Sequence, residues 1–283
     1  MNEFILNNEV NIRLGFFLGV FLFMAIWEVF LPRRKLIVSK LVRWTNNMGV
    51  VFLNTFLIRI IFPAAAVGVA VFAENAGWGI FNYFELSFPV VVILSIIILD
   101  LTIYLQHVMF HAVPVLWRIH RMHHADLDID ITTGARFHPF EIILSMLIKF
   151  SAIIVLGAPA VAVIVFEVIL NAMAMFNHSN VKLFKKVDSL LRCFVVTPDM
   201  HRVHHSVEAN ETNSNFGFNL SCWDMLFGTY KDQPKKGHKE MIIGINSFKD
   251  PKICSRMDWM LLIPFLGKVK DYTINRREYK NNE

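Results

Sequence analysis

Histidines are the residues of this chain whose spacing points most directly to chemistry. Eight of the 11 fall into three tight groups. The groups are His107 and His111; His120, His123 and His124; and His201, His204 and His205. Within each group the intervals of three or four residues place the side chains on one face of a helix. Because imidazole is a common ligand of iron, zinc, copper and nickel, the pattern predicts metal binding.

The number of histidines indicates how many ions the site holds. A tetrahedral zinc ion takes about four ligands, so eight imidazoles exceed what one ion requires. Haem also fits poorly, because its iron takes axial ligands from opposite sides of the macrocycle and gains nothing from neighbouring pairs on one helix. We therefore predict a centre with two metal ions.

The elements that carry these histidines are strongly apolar. The chain is 55% hydrophobic, with a mean hydropathy of +0.46. Apolar runs long enough to cross a bilayer, about 17 to 25 residues each, cover Leu14–Leu31, residues 48–72, a run from Phe88 into His107, and residues 140–176. The last run is long enough for a hairpin that turns at residues 157–159. The sequence predicts an all-α integral membrane bundle of about four to five transmembrane helices, including helical hairpins, with a cytosolic helical cap that holds the histidine-rich dimetal site.

Charged residues predict the orientation. Five Lys and Arg residues follow the first run within residues 33–43, whereas residues 73–87 carry only acidic charges. The positive-inside rule then places all the histidine groups on the cytosolic face. Within the membrane, Lys149 either pairs with Glu167 across the hairpin or extends to the membrane surface or a water-filled cavity, and Asn54 and Arg59 should face the bundle interior. The basic residues do not alternate with aromatic ones as in nucleic-acid-binding proteins, so no nucleic-acid partner is expected.

The histidine groups lie in longer recognisable motifs. These are HVMFH, HRMHH and HRVHH, together with RFHPFE at 136–141, FNHSN at 176–180, TPDMHRVHHS at 197–206 and NFGFNLSCWDMLFGTY at 215–230. In this order, and between apolar hairpins, they resemble the fatty acid hydroxylase/sterol desaturase superfamily of membrane di-iron oxygenases. The predicted division is N-terminal transmembrane helices at 1–87, a fatty acid hydroxylase-like catalytic domain at 88–230, and a cytosolic or interfacial tail at 231–283.

The resemblance implies a reaction and a ligand set. Two iron ions would use O2 and two electrons to hydroxylate or desaturate a lipid C–H bond. His178, in FNHSN, matches a further ligand of the family, whereas Lys182 stands where some relatives have another histidine. The predicted catalytic and metal-binding residues are therefore His107, His111, His120, His123, His124, His178, His201, His204 and His205.

Three further residues are expected to support these ligands. Asp100 lies on the same helical stripe as His107 and His111, where its carboxylate could accept an imidazole N–H. Asp130 could act similarly from the cytosolic side. His138, in RFHPFE, is either a ligand or a supporting or structural residue. In contrast, His238 lies among lysines and is expected to be exposed to solvent.

The resemblance also implies partners. The substrate would be a sterol, fatty acyl or related membrane lipid. The sequence contains no recognisable haem, flavin or iron–sulfur motif, so electrons should come from a separate cytochrome, ferredoxin or reductase. The membrane would be the inner membrane in a bacterium or the endoplasmic reticulum in a eukaryote. The alternatives are a zinc-dependent membrane hydrolase, although no histidine group contains the carboxylate of an HExxH motif, and a non-enzymatic metal-binding membrane protein.

Overall fold

Helices form nearly all the regular structure of the protein. The computed structural model describes residues 2–268, and within them the only β-type pairing is isolated bridges. Residues 269–283, the end of the predicted tail, lie outside the described residues. The α-helices are α1 (Asn2–Asn7), α2 (Glu9–Phe30), α3 (Lys40–Ile61), α4 (Ala65–Asn75), α5 (Phe88–Ala112), α6 (Pro114–His124), α7 (Pro139–Leu156), α8 (Ala160–Asn177), α9 (Lys185–Leu191), α10 (Pro198–His204), α11 (Ala209–Thr212), α12 (Cys222–Leu226), α13 (Gly237–Glu240), α14 (Pro251–Ser255) and α15 (Met257–Met260). Three 3₁₀ helices cover Ile80–Tyr83, Thr133–Ala135 and Ile263–Phe265.

Five segments are long and apolar enough to cross a membrane. They are Glu9–Phe30, Lys40–Tyr83, Phe88–Ala112, Pro139–Leu156 and Ala160–Asn177. The prediction of an all-helical, multi-pass membrane protein is thereby confirmed. The second segment is not one continuous helix, however. It breaks between α3 and α4 at Pro63, whose nitrogen has no proton to donate to the helical ladder.

The α7–α8 hairpin turns where the sequence predicted. Gly157 ends α7 in the left-handed region, with φ of 69°, and Pro159 directly precedes α8. The loop after α4 packs tightly here, because a Cβ on Gly79 would lie 2.0 Å from the backbone nitrogen of Gly157. The hairpin therefore has both a conformational and a steric requirement for glycine.

Charges inside the bundle are paired. Lys149 contacts one carboxylate oxygen of Glu167, so the pairing alternative is the one found, and Arg13 lies 2.5 Å from the other oxygen. Asn54 is buried and donates to the carbonyl of Phe137 over 2.8 Å. The expectation for Arg59 was wrong. This residue lies two residues from the end of α3 and is exposed, because α3 turns that side away from the bundle.

The spanning helices pack around a common core. In it α4 and α5 each contact both α7 and α8, and α2 lies along α8. Small residues of α4 allow this close approach, since Ala66 and Ala70 lie in one buried cluster with Leu99 of α5 and Ile153 of α7. The core thereby fixes α5 and α8, which carry three of the predicted ligands at or next to their C-terminal ends.

A second core attaches α6 to the rest of the protein. Trp117 and Met122 of α6 pack with Met260 and Ile263 from the C-terminal region. Arg121 reinforces the contact by donating to the carbonyl of Ile263 over 2.7 Å. The apolar C-terminal segment therefore holds α6 in place.

Buried ions anchor the loop that follows α6. Arg43 of α3 is completely buried and contacts the carboxylates of Asp126 and Asp130, the latter at 2.9 Å. Glu28 of α2 accepts the backbone N–H groups of Ile131 and Asn180 at 2.7 and 2.8 Å. Helices α2 and α3 thus hold two segments of the chain, one directly after the histidines of α6 and one directly after His178.

Candidate metal centre

Nine histidines lie together in the protein interior and form two groups. They are the nine residues that were predicted as ligands from the sequence. In each group, every ring offers one nitrogen atom, and these nitrogen atoms all lie within 4.8 Å of one another. The first group, here called the five-histidine group, contains His107, His111, His120, His124 and His204. The second, the four-histidine group, contains His123, His178, His201 and His205. All nine side chains are buried.

Three helices and one helix end supply these rings. α5 contributes His107 and His111 to one group, whereas α6 and the α10 segment each contribute to both groups. His178 directly follows α8. The two members of each i, i+4 pair belong to the same group. In the adjacent pairs His123–His124 and His204–His205, one member belongs to each group. The rings of His124 and His205 stack at 4.7 Å across the boundary.

Hydrogen bonds orient many of the rings. The Nδ1 atoms of His107, His204 and His178 each lie 2.8 Å from a backbone carbonyl oxygen, those of Phe216, Ser214 and Ala174 respectively. A carbonyl oxygen can only accept, so each of these Nδ1 atoms carries the proton. The Nε2 lone pair of each ring is then available to a metal ion.

The nitrogen spacings fit metal coordination. Nε2 of His178 lies 3.1 Å from Nε2 of His123 and 2.9 Å from Nε2 of His201, and the Nε2 atoms of His111 and His124 are 3.2 Å apart. Ligands about 2.1 Å from one ion are roughly 3.0 to 3.4 Å apart at octahedral or tetrahedral angles. Nε2 of His107, His120 and His204 has no hydrogen-bond partner among the described residues. All three belong to the five-histidine group, and an ion bound there would satisfy these buried nitrogens.

The protonation state also suits ligation. Burial, and then the neighbouring imidazoles, hold the pKa of the ring well below its usual value at five positions outside the spanning helices: His123, His124, His201, His204 and His205. Burial lowers the pKa of His178 to about 3. These rings are therefore neutral at physiological pH, the form that binds metal.

Glu141 is a functional candidate that the sequence reasoning missed. It lies in the first turn of α7, and its Oε1 is 2.7 Å from Nδ1 of His120. A carboxylate on the outer nitrogen makes a ligating imidazole more basic and fixes its orientation. The available signal was its position three residues after His138 in the RFHPFE motif, which was noted only as a motif.

The three residues expected to support the ligands have other contacts. Oδ2 of Asp100 accepts from Nε1 of Trp223 and the backbone N–H of Leu220, because the cap segment 219–223 packs over its side of α5. Asp130 pairs with Arg43. His138 caps α7 by accepting the N–H of Phe140, and its Nε2 lies 3.3 Å from the carbonyl of Leu261. None of the three belongs to either histidine group.

The expectation for His238 was wrong. Its side chain is buried, with Nε2 3.7 Å from Asp199 on α10. Burial lowers its pKa to about 3. The neighbouring lysines predicted a solvated segment, but α13 packs against α10 and turns this one side chain inward. It therefore lies behind the ligand-bearing helix.

Aromatic rings and a braced loop complete the walls of the site. Phe216 packs against His107, His111 and His204, and Phe137 stacks on His123 with ring centroids 4.5 Å apart. The carboxylate of Asp224 accepts the backbone N–H groups of Phe216 and Gly217 at 2.7 and 2.8 Å. This fixes the carbonyl that orients His107.

Together these features define an integral membrane protein with a histidine-rich candidate dimetal centre. Residues 92–229 match the sequence model of the family described as fatty acid hydroxylase, and this stretch contains all nine histidines. This match and the curated relatives support the resemblance to the fatty acid hydroxylase/sterol desaturase superfamily that the motifs predicted.

Curated relatives include lipid hydroxylases and monooxygenases. The chain is 27% identical to the ornithine lipid hydroxylase OlsE of Rhizobium tropici over 66% of its own length and 54% of that protein. It is 28% identical to the alkylglycerol monooxygenase of Homo sapiens over 54% of its length and 34% of that protein. With the Xenopus tropicalis enzyme of that name the identity is 25%, over 72% and 45%. The chain thus spans about half or less of these relatives. No solved structure matches it.

Proposed function

We propose that the chain is a membrane-bound di-iron oxygenase that hydroxylates or desaturates a lipid C–H bond. One observation carries the proposal: nine buried imidazoles form two adjacent groups at the ends of apolar, membrane-length helices. Imidazole-rich sites suit iron, and two groups accommodate two ions. The similarity to named lipid hydroxylases and monooxygenases supports the same reaction class.

The carboxylates near the site favour oxidation over hydrolysis. A zinc hydrolase requires a general base that can reach a metal-bound water molecule. Neither histidine group in the described chain includes a carboxylate, and Glu141 is bonded to the outer nitrogen of His120. Its role is therefore to hold a ligand, which disfavours the hydrolase alternative.

The residues of the chain would orient the metal ions and exclude water. Two bound iron ions would supply the oxidising chemistry, with O2 and two electrons from an external donor. In hydroxylation, one oxygen atom becomes the new hydroxyl group and the other leaves as water, which takes up two protons. In desaturation, the substrate loses two hydrogens and both oxygen atoms leave as water. Phe216 and Phe137 cover the rings and limit the entry of bulk water.

The position of the site suits a substrate that stays in the bilayer. His107 and His111 lie in the last two turns of α5, so the candidate centre is at one end of a membrane span. A lipid chain could reach it without passing through water. The names of the relatives mention an ornithine lipid and an alkylglycerol, so we propose an amphiphilic lipid with a long hydrocarbon chain.

The electron donor and the membrane side belong to the same proposal. The basic residues between α2 and the start of α3 place that end of the helices in the cytosol by the positive-inside rule. Arg43, near the start of α3, pairs with Asp130 in the loop after the ligand-bearing helix α6, and this contact supports the proposal that the candidate centre lies on the same side. A separate cytochrome, ferredoxin or reductase would then dock from the cytosol, at the inner membrane of a bacterium or the endoplasmic reticulum of a eukaryote.

Lipid profiling tests the proposal. Cells that express the chain should accumulate a lipid heavier by one oxygen atom or lighter by two hydrogen atoms. The product should disappear without O2 and with His111→Ala, but persist with Cys193→Ser, whose side chain is exposed. A product that forms equally without O2, or with His111→Ala, would contradict the proposal.

A further inference from the structure

Helix α9 has its polarity reversed relative to a helix on a water-exposed surface. Its inward face carries Asp188, and Arg192 follows directly after its last residue. Both side chains are buried, and Nε of Arg192 lies 2.7 Å from Oδ2 of Asp188. Its outward face carries Phe184, 77% exposed, and Leu190, 65% exposed. Phenylalanine and leucine side chains facing outward while an ion pair is buried suit an apolar surrounding.

Helix α12 repeats the reversal. Asp224 points inward and is completely buried, where it accepts the N–H groups of Phe216 and Gly217. Leu226, 71% exposed, and Phe227, 51% exposed, point outward. The same polarity in two separate helices indicates a shared environment.

The two helices form one surface. The Oγ of Ser221, just before α12, donates to the carbonyl of Arg192 over 2.7 Å. The N–H of Val196 donates to the carbonyl of Asn219 over 3.0 Å, so the segments run side by side. We name the resulting surface the cap ridge. Its outward residues are Phe184, Val187, Leu190, Phe194, Leu226 and Phe227.

The cap ridge continues the lipid-facing surface of a spanning helix. The ring of Phe227 stacks on Tyr104 of α5, with centroids 5.4 Å apart. The next residue of α5, Leu105, is 51% exposed. An apolar surface thus runs from the spanning helix onto the cap.

Exposed lysines border the cap ridge at one end. They are Lys182, Lys185 and Lys186, at and before the start of α9. Long basic side chains next to outward aromatic and leucine residues suit the boundary between acyl chains and lipid phosphates, where lysine extends its charge toward the headgroups. This charge pattern selects a lipid surface as the occupant over a second apolar protein face.

We propose that the cap ridge is embedded in the interfacial layer of the bilayer, in the leaflet next to the histidine groups. It is a membrane anchor additional to the spanning helices, and it is independent of the reaction. Asp224 joins it to the Phe216–Gly217 backbone, which contacts His107. The bilayer surface would therefore set the depth of the candidate centre.

Fluorescence quenching by brominated lipids tests the anchor. The full chain, with Cys193→Ser and Cys222→Ser, receives one cysteine at a time and an environment-sensitive label. The ridge variants are Leu190→Cys and Leu226→Cys. The controls are Phe52→Cys in the middle of α3, 76% exposed, and Lys239→Cys on the cap, also exposed. Each protein is reconstituted into phosphatidylcholine–phosphatidylglycerol vesicles brominated on the acyl chain, near the headgroup or near the chain end.

The expected pattern differs for the three kinds of position. Labels at 190 and 226 should lose at least half their fluorescence with bromine near the headgroup and less with bromine near the chain end. The label at 52 should show the reverse order, and the label at 239 should show little quenching. Ridge labels that behave like the label at 239 would overturn the proposal. So would ridge labels that are shielded from water yet not quenched, since a protein partner would then cover the surface. Lipid oxidation is not involved, so either result leaves the proposed reaction to its own test.

Discussion

Replacement of Glu141 separates a supporting role at the metal centre from a merely structural one. Its carboxylate is buried and lies 2.7 Å from Nδ1 of His120. In Glu141→Gln the side-chain amide oxygen can still accept the imidazole N–H, so the ring keeps its orientation but loses the negative charge behind it. In Glu141→Ala both the charge and the acceptor are lost.

The expected magnitude follows from this contact. Removing a hydrogen-bond partner of a metal-bound histidine costs about 10- to 100-fold in metal affinity. We expect a loss of about tenfold for Glu141→Gln, which is about 1.4 kcal/mol. A loss near 100-fold is expected for Glu141→Ala, since a buried hydrogen bond to a charged group contributes about 1.5 to 3 kcal/mol.

Competition with a metal chelator provides the assay. Purified protein in detergent is loaded with iron(II) without oxygen, and the metal retained is measured against increasing chelator. Only about half of the bound iron should become easier to remove, because Glu141 contacts the five-histidine group alone. Ser145→Ala is the matched control, since Ser145 lies one turn further along α7 and bonds Gln106. Wild-type retention in both Glu141 variants, or equal losses in all three variants, would refute the reasoning.

Three other substitutions test separate parts of the structure. Arg43→Met leaves two buried aspartates without their partner, so it should cost about 3 to 5 kcal/mol and lower the melting temperature in detergent; an unchanged melting temperature would contradict this. Gly79→Ala places a Cβ 2.0 Å from the nitrogen of Gly157, so we expect it to lower the free energy of unfolding by about 1 to 3 kcal/mol and to lower the melting temperature in detergent. The control is Gly77→Ala, where a Cβ meets nothing within 4 Å, and it should lower the melting temperature less. His123→Ala should abolish activity and lower metal content while membrane insertion is retained, and full activity would refute its assignment as a ligand.

The sequence was sufficient for features that depend on local spacing. Intervals of three and four residues fixed which histidines share a helix face, and the apolar runs identified the spanning helices. The bend at Gly157 also followed, and a hairpin brings equidistant residues together, which made the pairing of Lys149 with Glu167 one of two alternatives. The break at Pro63 was missed because the apolar character continues across it.

Contacts between distant segments could not be predicted in this way. The acceptor for His107 is a carbonyl more than a hundred residues later in the chain, and a backbone carbonyl leaves no trace in residue identity. Asp100 has the right helical spacing to face the histidines, but the cap places Trp223 against it. His238 is buried among lysines because helix packing, and not local composition, determines which way it points.

The number of iron ions bound by one chain tests the central claim most directly. The protein is purified without metal and titrated anaerobically with iron(II), and bound iron is measured against protein concentration. Two groups of buried imidazoles predict saturation at two ions per chain, followed by O2-dependent oxidation of lipid when a reductant is added. Saturation at one ion per chain, or full activity with zinc in the absence of O2, would contradict the account.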